Sequence, residues 1–210
     1  VVYVAGDRLP KSNAFIESLA DTVIVDLEDS VADDRGEIAR DMLAAMVADA
    51  RAAGKFVVVR INSLAGPEGA ADAEAVALLP SDVAVLIPKP IGKDVVAQVL
   101  KLGGPRPLWC MGEDAGFAAR VGKLANLFHQ LEVVVVGLKD LALDLGIDLD
   151  LDDAMLRAAA NAIRNAAQAA GLIVIDGVAY GGMDQLHRSV ARARDTGFDG
   201  VSLIRLRDAA

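Results

Sequence analysis

Charged side chains in this 210-residue chain collect immediately after its apolar runs. In order they are Asp7 and Arg8; Asp26, Glu28 and Asp29; Arg60 and Asn62; Lys89 after Pro88; Glu113 and Asp114; Lys139 and Asp140; and Asp176. Two carboxylates from different runs, Glu113 and Asp140, make the incomplete oxygen site that Mg2+ or Mn2+ accepts. Mg2+ in particular keeps several waters and takes only one or two protein carboxylates. Arg60 is a planar donor suited to a substrate carboxylate or to an oxyanion formed during reaction. No HExxH, CxxC or histidine cluster is present, which disfavours zinc. The plain alternatives are salt bridges at the rim of the fold for these three residues and, for Asp140, a helix N-cap.

The elements that must position these groups are legible from hydropathy. The stretch EVVVVGLKDLALDLG at 132–146 holds four consecutive valines, a strand buried on both sides that ends at Gly137. Similar runs occupy 1–6, 22–29, 56–62, 83–89, 108–113, 172–178 and 200–204. Between them lie helical patterns at 10–20, 33–53, 71–79, 94–102, 115–130, 152–170 and 184–196, with Gly54 and Gly171 as stops. Ile38, Met42, Leu43, Met46 and Val47 form the stripe of one helix, and Met155, Leu156, Ala159 and Ile163 that of another. Eight strands alternating with helices at roughly 25 to 35 residues predict a single α/β domain, a (β/α)8 TIM barrel over residues 1–210. A doubly wound sheet is the alternative, but its glycine-rich nucleotide turn is missing.

In a barrel the carboxyl ends of the strands share the functional face, where all the charges above fall. Side chains two apart on a strand share a side, so Asp26 pairs with Glu28, Arg60 with Asn62, and Glu113 continues Trp109 and Met111. Asp29 and Lys89 have the other parity. Cys110, opposite Glu113, reads as core against a helix, and Trp109 and Met111 as barrel filling.

A net charge of −9 disfavours nucleic acid as a partner. One cysteine permits no internal disulfide and fits a cytoplasmic setting. No apolar run reaches membrane-spanning length and no leader pattern is present, so a soluble protein is expected. The chain starts at Val1 inside a strand-like run and stops at Ala210, so one or both ends are expected to have been trimmed.

Taken together, VAGDRLPK, TVIVDLEDSVADD, VVVRIN, LIPKP, MGEDAG, VVVGLKDLALDLG, AAGLIVIDGV and TGFDGVSLI, in this order, resemble the citrate lyase β-subunit and malyl-CoA lyase group, the HpcH/HpaI-type aldolases. DLEDSV, RIN and KDLALDLG carry most of the specificity. The resemblance implies a barrel of the phosphoenolpyruvate/pyruvate-binding type and a Mg2+-dependent carbon–carbon lyase, usually oligomeric. Its substrates would be 3-hydroxyacyl-CoA thioesters such as malyl-, citramalyl- or citryl-CoA. Glu113 and Asp140 match metal ligands, and Arg60 matches the arginine that binds the 2-oxo acid and steadies the enolate. Glu28 and Asp29 match an acidic pair beside the metal and its waters, and Arg8 a basic residue near the substrate. Lys89 is a further substrate-binding candidate.

Three departures qualify the match. Asp114 stands where the family usually has threonine, adding a negative charge beside Glu113, and Lys139 is an unusual neighbour of Asp140 that would neutralise it. GVSLIRLRDAA carries neither the family's His-Pro motif nor its C-terminal lid, so free hydroxy or oxo acids are alternative substrates. A non-catalytic assembly or metabolite-binding role is the alternative from another class. Of the remaining features, His129 and His187 read as helix-surface or packing residues. The Gly181–Gly182 pair with Arg205 and Arg207 reads as a turn before it reads as a phosphate loop, and the acidic run at 149–153 lacks the glycine and glutamate of a calcium loop.

Overall fold

The computed structural model describes residues 1–8, 18–90, 102, 104–178 and 183–204. The expected helices at 10–20 and 94–102 lie almost wholly outside these residues, as do Gly181, Gly182, Arg205 and Arg207. Two compact units emerge, one of Val1–Pro107 with Leu203–Ala210, the other Leu108–Ser202.

The first unit carries β1 (Val2–Ala5), β2 (Thr22–Asp26), β3 (Phe56–Arg60) and β4 (Ala84–Ile87), each parallel to the next. Helix α1 (Gly36–Ala52) follows a 3-10 turn at Asp33–Arg35, and α2 (Pro67–Ala77) follows β3. Leu203 pairs with Val2 beside β1. Register places Ala5, Asp26, Arg60 and Leu86 side by side on one face. The buried stripe of α1 is Ala39, Leu43, Met46, Val47 and Ala50, whereas Ile38 is exposed. The stripe is therefore rotated from the expected one, because small alanines let the helix sit close to the strands beneath.

The second unit carries β5 (Leu108–Gly112), β6 (Leu131–Val136), β7 (Ile173–Val178) and β8 (Gly200–Ser202), again parallel in chain order. Its helices are α3 (Phe117–Leu127), α4 (Leu138–Leu145), α5 (Ala154–Ala169) and α6 (Met183–Thr196). Asp153 caps α5 by accepting from the Leu156 N–H at 2.9 Å. Met155, placed on the stripe of α5 by its sequence, is exposed; Leu156, Ala160, Ile163 and Ala167 are the buried set. Gly54 and Gly171 follow α1 and α5 at φ of 74° and 80°, the left-handed stops expected of them. Only Gly137 separates β6 from helix α4, which therefore starts before Asp140 and not after it as an N-cap at Asp140 would require.

Strand parity sorts the second unit into two faces. A Cβ on Gly112 would meet Ile163 of α5 and Phe117 of α3, so the Cys110 and Gly112 side faces helices. Trp109, Met111, Val133, Val135 and Ile175 share the other side. Among the described residues no helix is long and apolar enough to cross a membrane.

Candidate functional site

In the first unit, chemistry gathers on Arg60. Its Nε and NH2 donate to the two oxygens of Asp26, each at 2.6 Å, and NH1 lies 2.8 Å from Glu28 Oε2 and 3.3 Å from Asp29 Oδ2. The Tyr3 ring stacks under the guanidinium with its centroid 5.0 Å away. Burial works against the charged form, but the Asp26 carboxylate outweighs it and raises the pKa of Arg60 above its ordinary value. The arginine is thus permanently charged and held in one orientation.

Asp26 organises the following loop as well. Its oxygens accept from the backbone N–H of Glu28 at 3.0 Å and of Ser30 at 3.1 Å, and from the Ser30 hydroxyl. β2 ends at Asp26, so Glu28 and Asp29 are loop residues and the parity argument does not apply to them; the turn around Asp26 brings both to Arg60. Asn62 likewise lies beyond its strand. Its side-chain amide donates to Leu27 O at 2.7 Å and to Asp72 Oδ2 at 2.8 Å, which makes it a bracket between the loops after β2 and β3. Asp72, unremarkable in sequence, is buried and also takes Arg40.

The first unit holds three more candidates. Asp7 is buried and accepts from Arg35, while Arg8 beside it is exposed, its Nε 3.6 Å from Asp7. Lys89 is exposed and sits at φ 40°, the one non-glycine residue with positive φ among those described.

In the second unit, Glu113 leaves β5 on the Trp109 and Met111 side and is only 4% exposed. Its carboxylate occupies the space above Gly137: a Cβ there would stand 2.8 Å from Glu113 Oε2 and 2.7 Å from Glu113 Cβ. Gly137 in turn is the N-cap residue of α4, so Asp140 is the third residue of that helix rather than its cap. An acidic side chain in a first turn is favoured by the helix dipole. Glu113 and the α4 N-terminus are therefore in contact through Gly137. Among the described residues no group of three His, Cys, Asp or Glu gathers as a metal cluster, so a cation here would rest on two carboxylates and its own waters. A buried carboxylate given room by a glycine, beside the helix turn that carries a second carboxylate, suits a hard oxygen-seeking ion.

The neighbours behave differently from their sequence reading. Asp114 turns away to Arg120, which donates through NH1 at 2.7 Å and also through NH2. That pairing, with the Gly116 and Phe117 amides, holds its carboxyl below the usual range, so its charge is answered by Arg120 and not spent on Glu113. Lys139 is exposed. Asp176 has the parity of Val174, not of Glu113; Arg157 of α5 takes both its oxygens at 3.1 and 3.3 Å. It is an ion pair of the helix-facing side and leaves the candidate set. Burial pushes the Cys110 thiol up to about 12, fitting an inert core cysteine. His129 and His187 are exposed, and His129 lies just past the end of α3.

Solved structures define the class. The citrate lyase β-subunit of Mycobacterium tuberculosis, complexed with oxaloacetate and magnesium, matches 99% of this chain and 92% of its own with a TM-score of 0.80 at 28% identity. The fold is accordingly a (β/α)8 TIM barrel, as the strand count predicts. The chain belongs to the HpcH/HpaI aldolase/citrate lyase family, which it matches over residues 1–102 and 119–205. It is 34% identical over 206 residues to a (3S)-malyl-CoA thioesterase of Cereibacter sphaeroides, covering 97% of this chain and 72% of that one. The M. tuberculosis protein CitE in complex with magnesium, acetoacetate and coenzyme A matches 99% of this chain and 76% of its own, with a TM-score of 0.78 at 27% identity. Members of this family are enzymes.

Proposed function

We propose that the protein is a Mg2+-dependent carbon–carbon lyase that cleaves or forms a 3-hydroxyacyl-CoA thioester such as malyl-, citramalyl- or citryl-CoA. The observation that carries the reading is the Glu113 carboxylate lying over Gly137 at the start of the helix that bears Asp140. Glu113 and Asp140 would hold the ion, Mg2+ or alternatively Mn2+. Bound there, it would supply Lewis-acid polarisation and a template for the carboxylate and keto oxygen of a 2-oxo acid. Magnesium and oxaloacetate in the citrate lyase β-subunit, and coenzyme A in CitE, support the choice of ion and substrate class.

Arg60 supplies positive charge to the oxo acid and to the negative charge that grows as the carbon–carbon bond changes. Its two sides differ in exposure. Asp26, 1% exposed, stays as the permanent clamp, while Glu28 and Asp29, 22% and 50% exposed, hold NH1 until the substrate carboxylate replaces them. Exposed Arg8 and Lys89 take anionic parts of the substrate. The reading treats residues 1–210 as one domain of a cytoplasmic homo-oligomer whose partners are small acids and thioesters, with no nucleic acid or membrane.

A second reading, thioester hydrolysis, is favoured by the 34% identity to the malyl-CoA thioesterase. Atom balance separates the two: a lyase releases a 2-oxo acid and keeps the thioester, whereas hydrolysis consumes water and frees the CoA thiol. The test is to incubate the protein with each thioester and Mg2+, reading oxo acid with phenylhydrazine and free thiol with Ellman's reagent. Oxo acid without thiol supports the lyase, and thiol with hydroxy acid supports the hydrolase. Turnover that survives EDTA, or turnover of the free hydroxy acids alone, overturns the thioester-and-metal scheme.

A further inference from the structure

We infer that Asp144 is a positioning residue that holds the segment bearing Glu113 against the helix bearing Asp140; this rests on the metal-binding reading above. Two stitches join these segments. The Gly137 N–H donates to Gly112 O at 3.0 Å, and the Ala115 N–H donates to Asp144 Oδ2 at 2.9 Å. Glu113 lies between them in the chain, so its backbone is tied to the β6–α4 segment on either side. Asp144 stands four residues after Asp140 on α4, one turn along the same helical face.

The placement of Asp144 is otherwise unfavourable. It is exposed and contributes nothing to the core, and it is the penultimate residue of α4, where a negative charge opposes the helix dipole. Among the described residues its carboxylate has one hydrogen-bond partner, the Ala115 N–H, and that bond accounts for its placement. Asp114 does not compete for the Ala115 N–H, because its carboxylate is engaged by the Gly116 N–H and by Arg120. The carboxylate therefore converts a loop ligand and a helix ligand into one rigid pair, and groups that orient metal ligands in this way typically tune affinity.

The test measures Mn2+ binding to the full chain by electron paramagnetic resonance of the free ion, for wild type, Asp144→Ala, Asp144→Asn, Glu113→Gln and Asp140→Asn. Asp144→Ala is expected to weaken Mn2+ binding about tenfold. Asp144→Asn, whose amide oxygen still accepts from Ala115, is expected to stay within about twofold, with protection of the Ala115 amide from hydrogen exchange retained. Wild-type affinity in Asp144→Ala, or a tenfold loss in Asp144→Asn, overturns the inference, and the Asn variant alone decides it where the Ala variant does not fold. Unchanged binding in both Glu113→Gln and Asp140→Asn would instead overturn the metal site itself.

Discussion

Asp26 and Arg60 face each other in paired register on β2 and β3, joined by two bonds of 2.6 Å from Nε and NH2 to the two carboxylate oxygens. Both are buried, so each is the other's main source of charge compensation. Breaking one side of such a pair leaves an unanswered charge in a poorly solvated place.

Asp26→Asn is accordingly expected to lower unfolding free energy by about 3 kcal/mol, read from urea denaturation. The double variant Asp26→Leu/Arg60→Met should recover much of that loss while remaining inactive, because it removes both charges at once. A loss below about 1 kcal/mol for Asp26→Asn would mean that the pair is better solvated than its geometry indicates.

Gly137→Ala probes the other cluster. The added methyl would stand 2.7 Å from Glu113 Cβ and 2.8 Å from its Oε2, closer than real contacts allow, so the Glu113 side chain must move. Overpacking costs about 1–3 kcal/mol, leaving a folded protein that has lost its Mg2+-linked rise in melting temperature. Thermal scans with and without Mg2+ measure both quantities together. A variant that keeps the full Mg2+ shift would show that Glu113 does not hold the ion.

The Asp114–Arg120 pair sets a pH dependence. The depressed pKa of Asp114 means that its contribution to stability is present above the ordinary aspartate range, near about 3.9, and is lost as pH falls through the folded-state value. Arg120→Met keeps apolar packing against Phe117, whose ring the guanidinium covers at 5.3 Å. The urea midpoint of this variant should lie below wild type at pH 7, and the gap should close as pH drops below about 4. A gap that stays constant down to the lowest pH at which the protein is folded would assign the effect of Arg120 to packing alone.

The architecture was legible because each strand is a compact apolar run and the two long helices α1 and α5 end at Gly54 and Gly171, signals that do not depend on partners far away in the chain. Asp26, Arg60 and Glu113 were visible as charges at strand ends for the same reason. What escaped was direction once the chain leaves its strand. Alternation placed Glu28 and Asn62 as though the strands continued, but Asp26 folds the loop after it and Asp72 pulls Asn62 aside. Asp176 looked like one of the set until the register of β7 turned it toward Arg157. The start of helix α4 was misplaced, since an N-cap reading of Asp140 begins the helix after that residue, whereas Gly137 alone separates it from the valine run. Asp144 carried no signal of its own, since a charge on a short exposed helix is ordinary until its partner is known.

Lys89 holds the left-handed backbone immediately before Pro90, a position where proline also disfavours compact conformations of its predecessor. Glycine would relax this site at no steric cost, so the lysine persists against a gradient of about 1–2 kcal/mol. Variants selected purely for heat resistance would drift toward glycine there and shed a cation in doing so. Under the substrate-binding role proposed for Lys89, durability and chemistry would make opposing demands on a single residue.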